Sequence, residues 1–403
     1  MIHQLASRKI LAFVIGPVLF LPTASCASTR LFAQNVGLLV DARLDPLVNP
    51  NGCSSHVHSV YGNSKFGAKI GPLSFLDEDW RNIENKEEQT TSEVIPNLSM
   101  YWAPSMYIVK DGTYYLVPST ARTYYRITHR PDEEDKLSRV HPYPPFLQMI
   151  IGDASRKTAW ESDETTRDNI RWTLIGLNRA STNYLDHGDW SYLIDNPLVA
   201  TVPTLEMNMN FPECLRAKPD GLPRTKSPDF RSHVAYIQDW DPVRQSFCPA
   251  SHPIQIPMLN LLIRYELDAM RDLLGQETVN DVRNWRLSTG DSTGAGGHAD
   301  FVNGWPEDMM RNMIANCSHG VSIEPGVQDC ILEEYDLNGR LSKTIPYHGA
   351  IPPEEIHQVE SLPTGDCPPG FPSRRQLRAV NSAGVGAAST LWYSQGNATR
   401  SSN

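Results

Sequence analysis

Punctuation by 31 prolines and 26 glycines most constrains what this 403-residue chain can fold into. Breakers at that density favour short strands and long loops over long helices. Several segments between them read as strands. Ser105-Met106-Tyr107-Ile108-Val109 and Thr113-Tyr114-Tyr115-Leu116-Val117 flank Lys110-Asp111-Gly112, which is a hairpin signal. Leu205 to Phe211 alternates apolar and polar residues, as a half-buried strand does. His233 to Ile237, Pro257 to Tyr265 and Trp285 to Ser288 are further strand candidates. Pro306 to Asn316 is the best helix, with proline at its start, early acids and a later apolar face. Asp268–Leu274 and Glu277–Val282 read as short helices, and no internal repeat stands out. The expected fold is mainly β: an antiparallel β-sandwich or jelly-roll-like domain with a few short helices and long loops.

A hydrophobic content of 40% and a charged content of 20% provide for a sizeable core. The formal charge of −10, with no dense Lys/Arg run, excludes a nucleic-acid partner on electrostatic grounds. Arg8 and Lys9 precede an apolar run from Ile10 to Leu21, and small residues follow at Ala24, Ser25, Cys26 and Ala27. This is the layout of a secretory signal, cleaved after Cys26 or Ala27. Secretion with no membrane association after cleavage is the expected localisation, extracellular or in the cell wall. Loss of Cys26 leaves six cysteines, for which three disulfides are the natural reading and fifteen pairings are open. None of them forms a Cys-x-x-Cys pair, which disfavours a structural zinc site. Sequons at Asn97, Asn316 and Asn397 fit a secreted glycoprotein.

Four histidine segments carry the chemistry: Cys53 to His58, Arg231 to Tyr236, Cys248 to Pro253, and Gly296 to Phe301. Three of them contain Ser-His. Asp45-Pro46-Leu47-Val48-Asn49-Pro50-Asn51-Gly52-Cys53 running into His56-Val57-His58 resembles the opening signature of DUF1996, a family of secreted proteins best represented in fungi. Phe211-Pro212-Glu213-Cys214, Ser227-Pro228-Asp229 with Ser232-His233-Val234-Ala235-Tyr236, and Cys248-Pro249-Ala250-Ser251-His252-Pro253 follow in the family's order. So do Gly290-Asp291-Ser292-Thr293-Gly294 and His298-Ala299-Asp300-Phe301-Val302-Asn303-Gly304-Trp305. The resemblance covers roughly residues 44 to 317. Two positions depart from it. Leu215 stands where the family usually has Trp, and Asp229-Phe230-Arg231 where it has Asp-His-Lys. The family has no established function, and WSC modules on some members imply contact with cell-wall polysaccharide. With the resemblance, the chain divides into a signal peptide (1–27), a short lead, a DUF1996-like domain (44–340), a Pro-rich wrapping segment (341–380) tied by Cys367, and a flexible tail (381–403). The resemblance places Cys214 and Cys248 in core motifs flanking the strand-rich stretch around His233, and a Cys214–Cys248 disulfide is expected.

Three readings of the site follow. In the first, His56 and His58, two apart on a strand and so on one side, join His298 or Asp300 to hold zinc, copper or manganese. Neither cleavage leaves a histidine first, which argues against a copper oxygenase. In the second, Asp291, His298 and Asp300 do acid–base work on a glycan as in a glycoside hydrolase, or His233 or Tyr236 is the base of a polysaccharide lyase. Arg231, His252, Asn303 and Trp305 then bind substrate, while Asp291 has the competing role of capping a turn. In the third, the protein is a non-enzymatic, disulfide-stapled wall protein that stacks sugars on Trp305, Trp102 and Tyr101. The first two readings expect His56, His58, His233, His252 and His298 to converge with Asp229, Asp291 and Asp300.

Overall fold

Inward-facing apolar residues along short strands build two five-stranded antiparallel sheets. The computed structural model describes residues 27–68, 88–95, 97–130, 139–158, 169–176, 188–317, 347, 349, 351–352 and 354–371. The first sheet runs β1 (Ala27–Val36), β7 (Ser119–His129), β14 (Met258–Glu266), β10 (Thr204–Asn210) and β9 (Ile170–Ile175). The second runs β2 (Leu38–Ala42), β3 (His58–Gly62), β4 (Met100–Pro104), β16 (His298–Val302) and β8 (Gln148–Gly152). A four-stranded sheet orders β15 (Trp285–Leu287), β5 (Met106–Lys110), β6 (Thr113–Leu116) and β17 (Gln358–Val359). A small one orders β12 (Val234–Ala235), β11 (Cys214–Leu215) and β13 (Ile254–Gln255). The α-helices among the described residues are α1 (Leu267–Leu274), α2 (Gln276–Asn280) and α3 (Glu307–Asn316). The architecture is mainly β and antiparallel, as the punctuation predicts.

The β5–β6 hairpin turns through Asp111 and Gly112, both at positive φ (52° and 82°), as a two-residue turn matched to strand twist demands. Alternation along β7 buries every second residue from Ser119 to His129. Ala121, Tyr125 and Ile127 thus join Tyr61, Tyr101 and Phe301 of the second sheet in one core. The opposite face of the second sheet has its own smaller core, with Val60, Met100, Trp102, Ile150 and Val302 under Leu44, Leu47 and Phe66. Phe230, Tyr347 and Phe371 pack against that cluster.

The lead before residue 44 is not a lead. β1 and β2 are built into the two large sheets, so the folded unit begins upstream of the expected boundary. A bulge between Arg30 and Phe32 breaks the alternation of β1, which is why its pattern is not legible. Cys214 and Cys248 are joined, and Cys53 is joined to Cys367. Cys317 is also disulfide-bonded. The signal segment, Cys330, Asn397 and the tail from 381 lie outside the described residues. Asn97 corrects the sequon reading: it is fully buried and donates from Nδ2 to the Tyr101 hydroxyl, so a glycan has no room there. Asn316 is exposed on the last turn of α3. Tyr101, Trp102 and Trp305 are 0%, 0% and 3% exposed, which removes the sugar-stacking surface. They are core aromatics, and Trp305 Nε1 donates to the Tyr125 hydroxyl.

Candidate metal centre

Strand register brings the site together. His58 pairs with Pro104 across β3–β4, and Asp300 pairs with Trp102 across β4–β16. His58, His298 and Asp300 therefore share the outer face of the second sheet, the face with the smaller core. The loop entering β3 lays His56 over them. Ring centroids are 4.3 Å apart for His56–His58, 5.0 Å for His56–His298 and 5.6 Å for His58–His298. One ring nitrogen from each of the three lies within 4.8 Å of the others. His56 Nε2 and His298 Nε2 are 3.1 Å apart. A tetrahedron of nitrogens around an ion at 2.0–2.1 Å has an edge of about 3.3 Å, so this spacing fits a shared ion.

The far side of each ring is held. His58 Nδ1 bonds the Leu44 carbonyl at 3.0 Å, and His298 Nδ1 the Gly296 carbonyl at 2.9 Å. A carbonyl only accepts, so both rings carry the proton on Nδ1 and present a lone pair at Nε2. His56 Nδ1 lies 3.1 Å from the Ser55 hydroxyl. His58 Nε2 is fully buried and has no hydrogen-bond partner among the described residues. Such an orphan base costs free energy unless something binds it. His58 is 0% exposed, whereas His56 (7%) and His298 (5%) keep slivers of accessible surface.

Electrostatics keep the rings of His58 and His298 neutral. Burial first, then His298, hold His58 well below the usual imidazole range against the pull of the Leu44 carbonyl. Burial holds His298 down at about 4; the Arg231 guanidinium pushes the same way, and the Gly296 carbonyl and the Asp153 carboxylate oppose. Neutral imidazoles are what metal ligation needs. Arg231 is exposed and donates from Nη1 to the Ile150 carbonyl on β8 at 3.1 Å. Burial, followed by the Asp45 carboxylate, pushes the Asp300 carboxyl well above the usual range, with Arg231 opposing. Asp300 Oδ1 and Trp102 Nε1 are buried without hydrogen bonds among the described residues.

The other expected site residues are placed elsewhere. His233 and His252 lie near one another beside Gln148 of β8, and neither is in the group of histidines whose ring nitrogens converge. His233 Nδ1 is 2.9 Å from the Ser227 hydroxyl, and His252 Nε2 is 3.2 Å from the Ser232 carbonyl. Burial lowers His233 to about 4; the Gln148 backbone and Asp229 oppose, and His252 adds to the lowering. Asp229 accepts four hydrogen bonds from Ser227, Arg231 and Ser232 and organises that turn. Tyr236 donates its hydroxyl to the Asn210 carbonyl at 2.9 Å, which occupies the proton a lyase base would need to lose. Asp291 is 1% exposed, with Oδ1 bonded to Thr293 and Oδ2 to the Gly296 amide. These bonds shape the Thr293–Gly296 loop. Asn303 is fully buried, bonding the Pro144 carbonyl and the Trp305 amide, and Trp305 is 3% exposed.

Sequence reasoning missed Asp153 and the Leu44 and Gly296 carbonyls. Backbone carbonyls have no residue-type signal. Asp153 sits just past Gly152 at the strand end. There the Ser155 and Arg156 contacts, then Arg231, outweigh partial burial and hold its carboxyl low.

The sheet architecture with its histidine-lined outer face defines a β-sandwich protein with a buried three-imidazole cluster. The model of the domain of unknown function DUF1996 matches residues 45–305, more than half of the chain, and the chain belongs to that family. No curated protein matches it, and no solved structure does.

Proposed function

We propose that this chain is a secreted metal-binding protein whose His56–His58–His298 centre acts on or holds cell-wall polysaccharide. The observation that carries the reading is the orphaned, fully buried His58 Nε2 beside two further imidazoles, with the rings of His58 and His298 fixed by backbone carbonyls. An all-imidazole set suits zinc, copper, nickel or iron and disfavours magnesium or calcium. When bound, such an ion supplies a Lewis acid or an activated water at its open position. The chain's own groups orient the partner. Arg231, exposed beside His298 and pinned to β8, offers a guanidinium to an acidic or hydroxyl-rich ligand. Disulfides at Cys53–Cys367 and Cys214–Cys248 and the leader-like residues 1–27 support an extracellular setting. The wall assignment rests on the family's WSC-bearing members.

The test uses full-length mature protein, stripped with a chelator and reloaded, against a panel of wall glycans. Product formation or retention on the glycan that requires metal, and that disappears in His298→Ala, is the expected result. Retention unchanged by chelation and by His298→Ala would separate the polysaccharide from the centre and overturn the proposal.

A further inference from the structure

A second cleft lies away from the histidine trio, with a volume of about 380 Å³. This is at the small end of the range for small-ligand sites. None of the three clustered histidines lines it. It sits where β7 ends at His129, against the 139–141 stretch, β13 and the turn from Trp240 to Phe247. The turn is anchored at its base by Cys248 through the bond to Cys214.

The lining is basic in a chain of charge −10. Among the described residues, Arg139, Arg244, His129 and His141 contribute to it, and no carboxylate does. The nearest acid of the turn, Asp241, is committed: Oδ2 accepts from Arg244 Nε at 2.6 Å and Oδ1 from the Val243 and Arg244 amides. Arg244 also donates from Nη1 to the Cys248 carbonyl at 2.6 Å, so its guanidinium is fixed before any ligand arrives. Arg139 is exposed and, among the described residues, held by a 3.3 Å bond from Nη1 to Gln245 Oε1. The lining is also aromatic, through Trp240 and Phe247. Trp240 packs edge-on against Phe247 at 4.9 Å, is only half-buried, and carries the Arg130 guanidinium 5.3 Å from its ring centroid.

We propose that this cleft binds an anionic sugar, a hexuronate residue of an oligosaccharide. One planar apolar wall and two guanidinium groups require a ligand with both an apolar face and a compact anion. A hexuronate is a small ring that offers both. Its axial C–H face stacks on the indole, and its carboxylate takes the Arg139 guanidinium, with Arg244 Nη2 as a second donor. The assignment goes beyond the metal centre and does not depend on it.

The test is titration of mature protein with a galacturonate tetramer, followed by Trp fluorescence and calorimetry, with the fully methyl-esterified tetramer as the uncharged control. Saturable binding of the acid form, at least tenfold tighter than the ester and weakening with salt, is expected. Arg139→Gln and Trp240→Ala should each weaken it about tenfold, while His58→Ala leaves it unchanged. Arg139 is exposed and makes one 3.3 Å bond among the described residues, so its variant is expected to fold. Equal affinity for acid and ester, no saturable binding, or an unaltered affinity in Arg139→Gln would overturn the proposal. Loss of binding in His58→Ala alone would move the ligand to the metal centre.

Discussion

At Glu213 the fold keeps a carboxyl where water does not reach. Its Oε2 has no hydrogen bond among the described residues, and burial raises it to about 7 against its own and the Ile237 backbone. Between about pH 4.5 and 7 the unfolded chain has lost this proton and the folded chain has not, so stability falls as pH rises through that window. The cost at neutral pH is on the order of 3 kcal/mol. His298 and His233, each lowered to about 4, act in the opposite sense. Between about pH 4 and 6.5 the unfolded chain binds the extra protons, and stability rises with pH. In metal-free protein, Glu213→Gln should match the wild type near pH 4.5 and exceed it at pH 8, read by urea unfolding across pH. Asp291 gives a second prediction. Its Oδ2 holds the Gly296 amide, and the Gly296 carbonyl holds His298 Nδ1. Asp291→Ala should cost about 1–3 kcal/mol by leaving that amide unpaired. It should also weaken metal affinity without removing a ligand, as titration calorimetry would show.

Elements whose causes are local were legible. The β5–β6 hairpin, β10, β14 and α3 fall where alternation, turn residues or the helix-starting proline place them. β1 was not, because its bulge scrambles the inward phase. Nor was the burial of Trp102 and Trp305, since an aromatic residue looks the same in sequence whether a loop covers it or not. His56 and His58 were readable as a pair through their spacing. Their meeting with His298 depends on β4 lying between β3 and β16, a long-range pairing that one sequence does not specify. At the β8–β16 contact, Gly152 has φ +73°, and a Cβ there would stand 2.2 Å from the Gly297 carbonyl oxygen and 2.6 Å from His298 Cα. Gly152→Ala must therefore push β16 away. A loss of about 2 kcal/mol or more is expected, together with weaker metal binding, measured by thermal unfolding with and without the ion.

Across the whole molecule, a C-terminal strap holds the loop that carries His56. Arg43, 1% exposed, donates to the Ser54 carbonyl, to Glu354 Oε1 and to the carbonyls of Gly365 and Asp366. Cys53 is bonded to Cys367 across 314 positions, and β17 adds a strand to β6. The strap thus ties residues near the chain's end to a loop three residues from a ligand. The Cys53→Ser/Cys367→Ser variant should lose up to about 5 kcal/mol in the chain-entropy picture. Its metal affinity should fall further than that of a Cys214→Ser/Cys248→Ser variant, because only the first pair braces His56. The comparison is read by thermal unfolding and by metal titration of both proteins.

The central claim is that three buried imidazoles hold one ion, and zinc titration calorimetry of chelator-stripped protein tests it most directly. The account predicts one site per chain and an affinity that persists to about pH 5, because His298 stays neutral above about 4. Saturating zinc at a hundredfold over its dissociation constant should raise stability by about 2.7 kcal/mol. The site should vanish in His58→Ala while that variant still unfolds cooperatively. Zinc binding of equal stoichiometry and affinity in a folded His58→Ala protein, or no binding by the wild type, would contradict it.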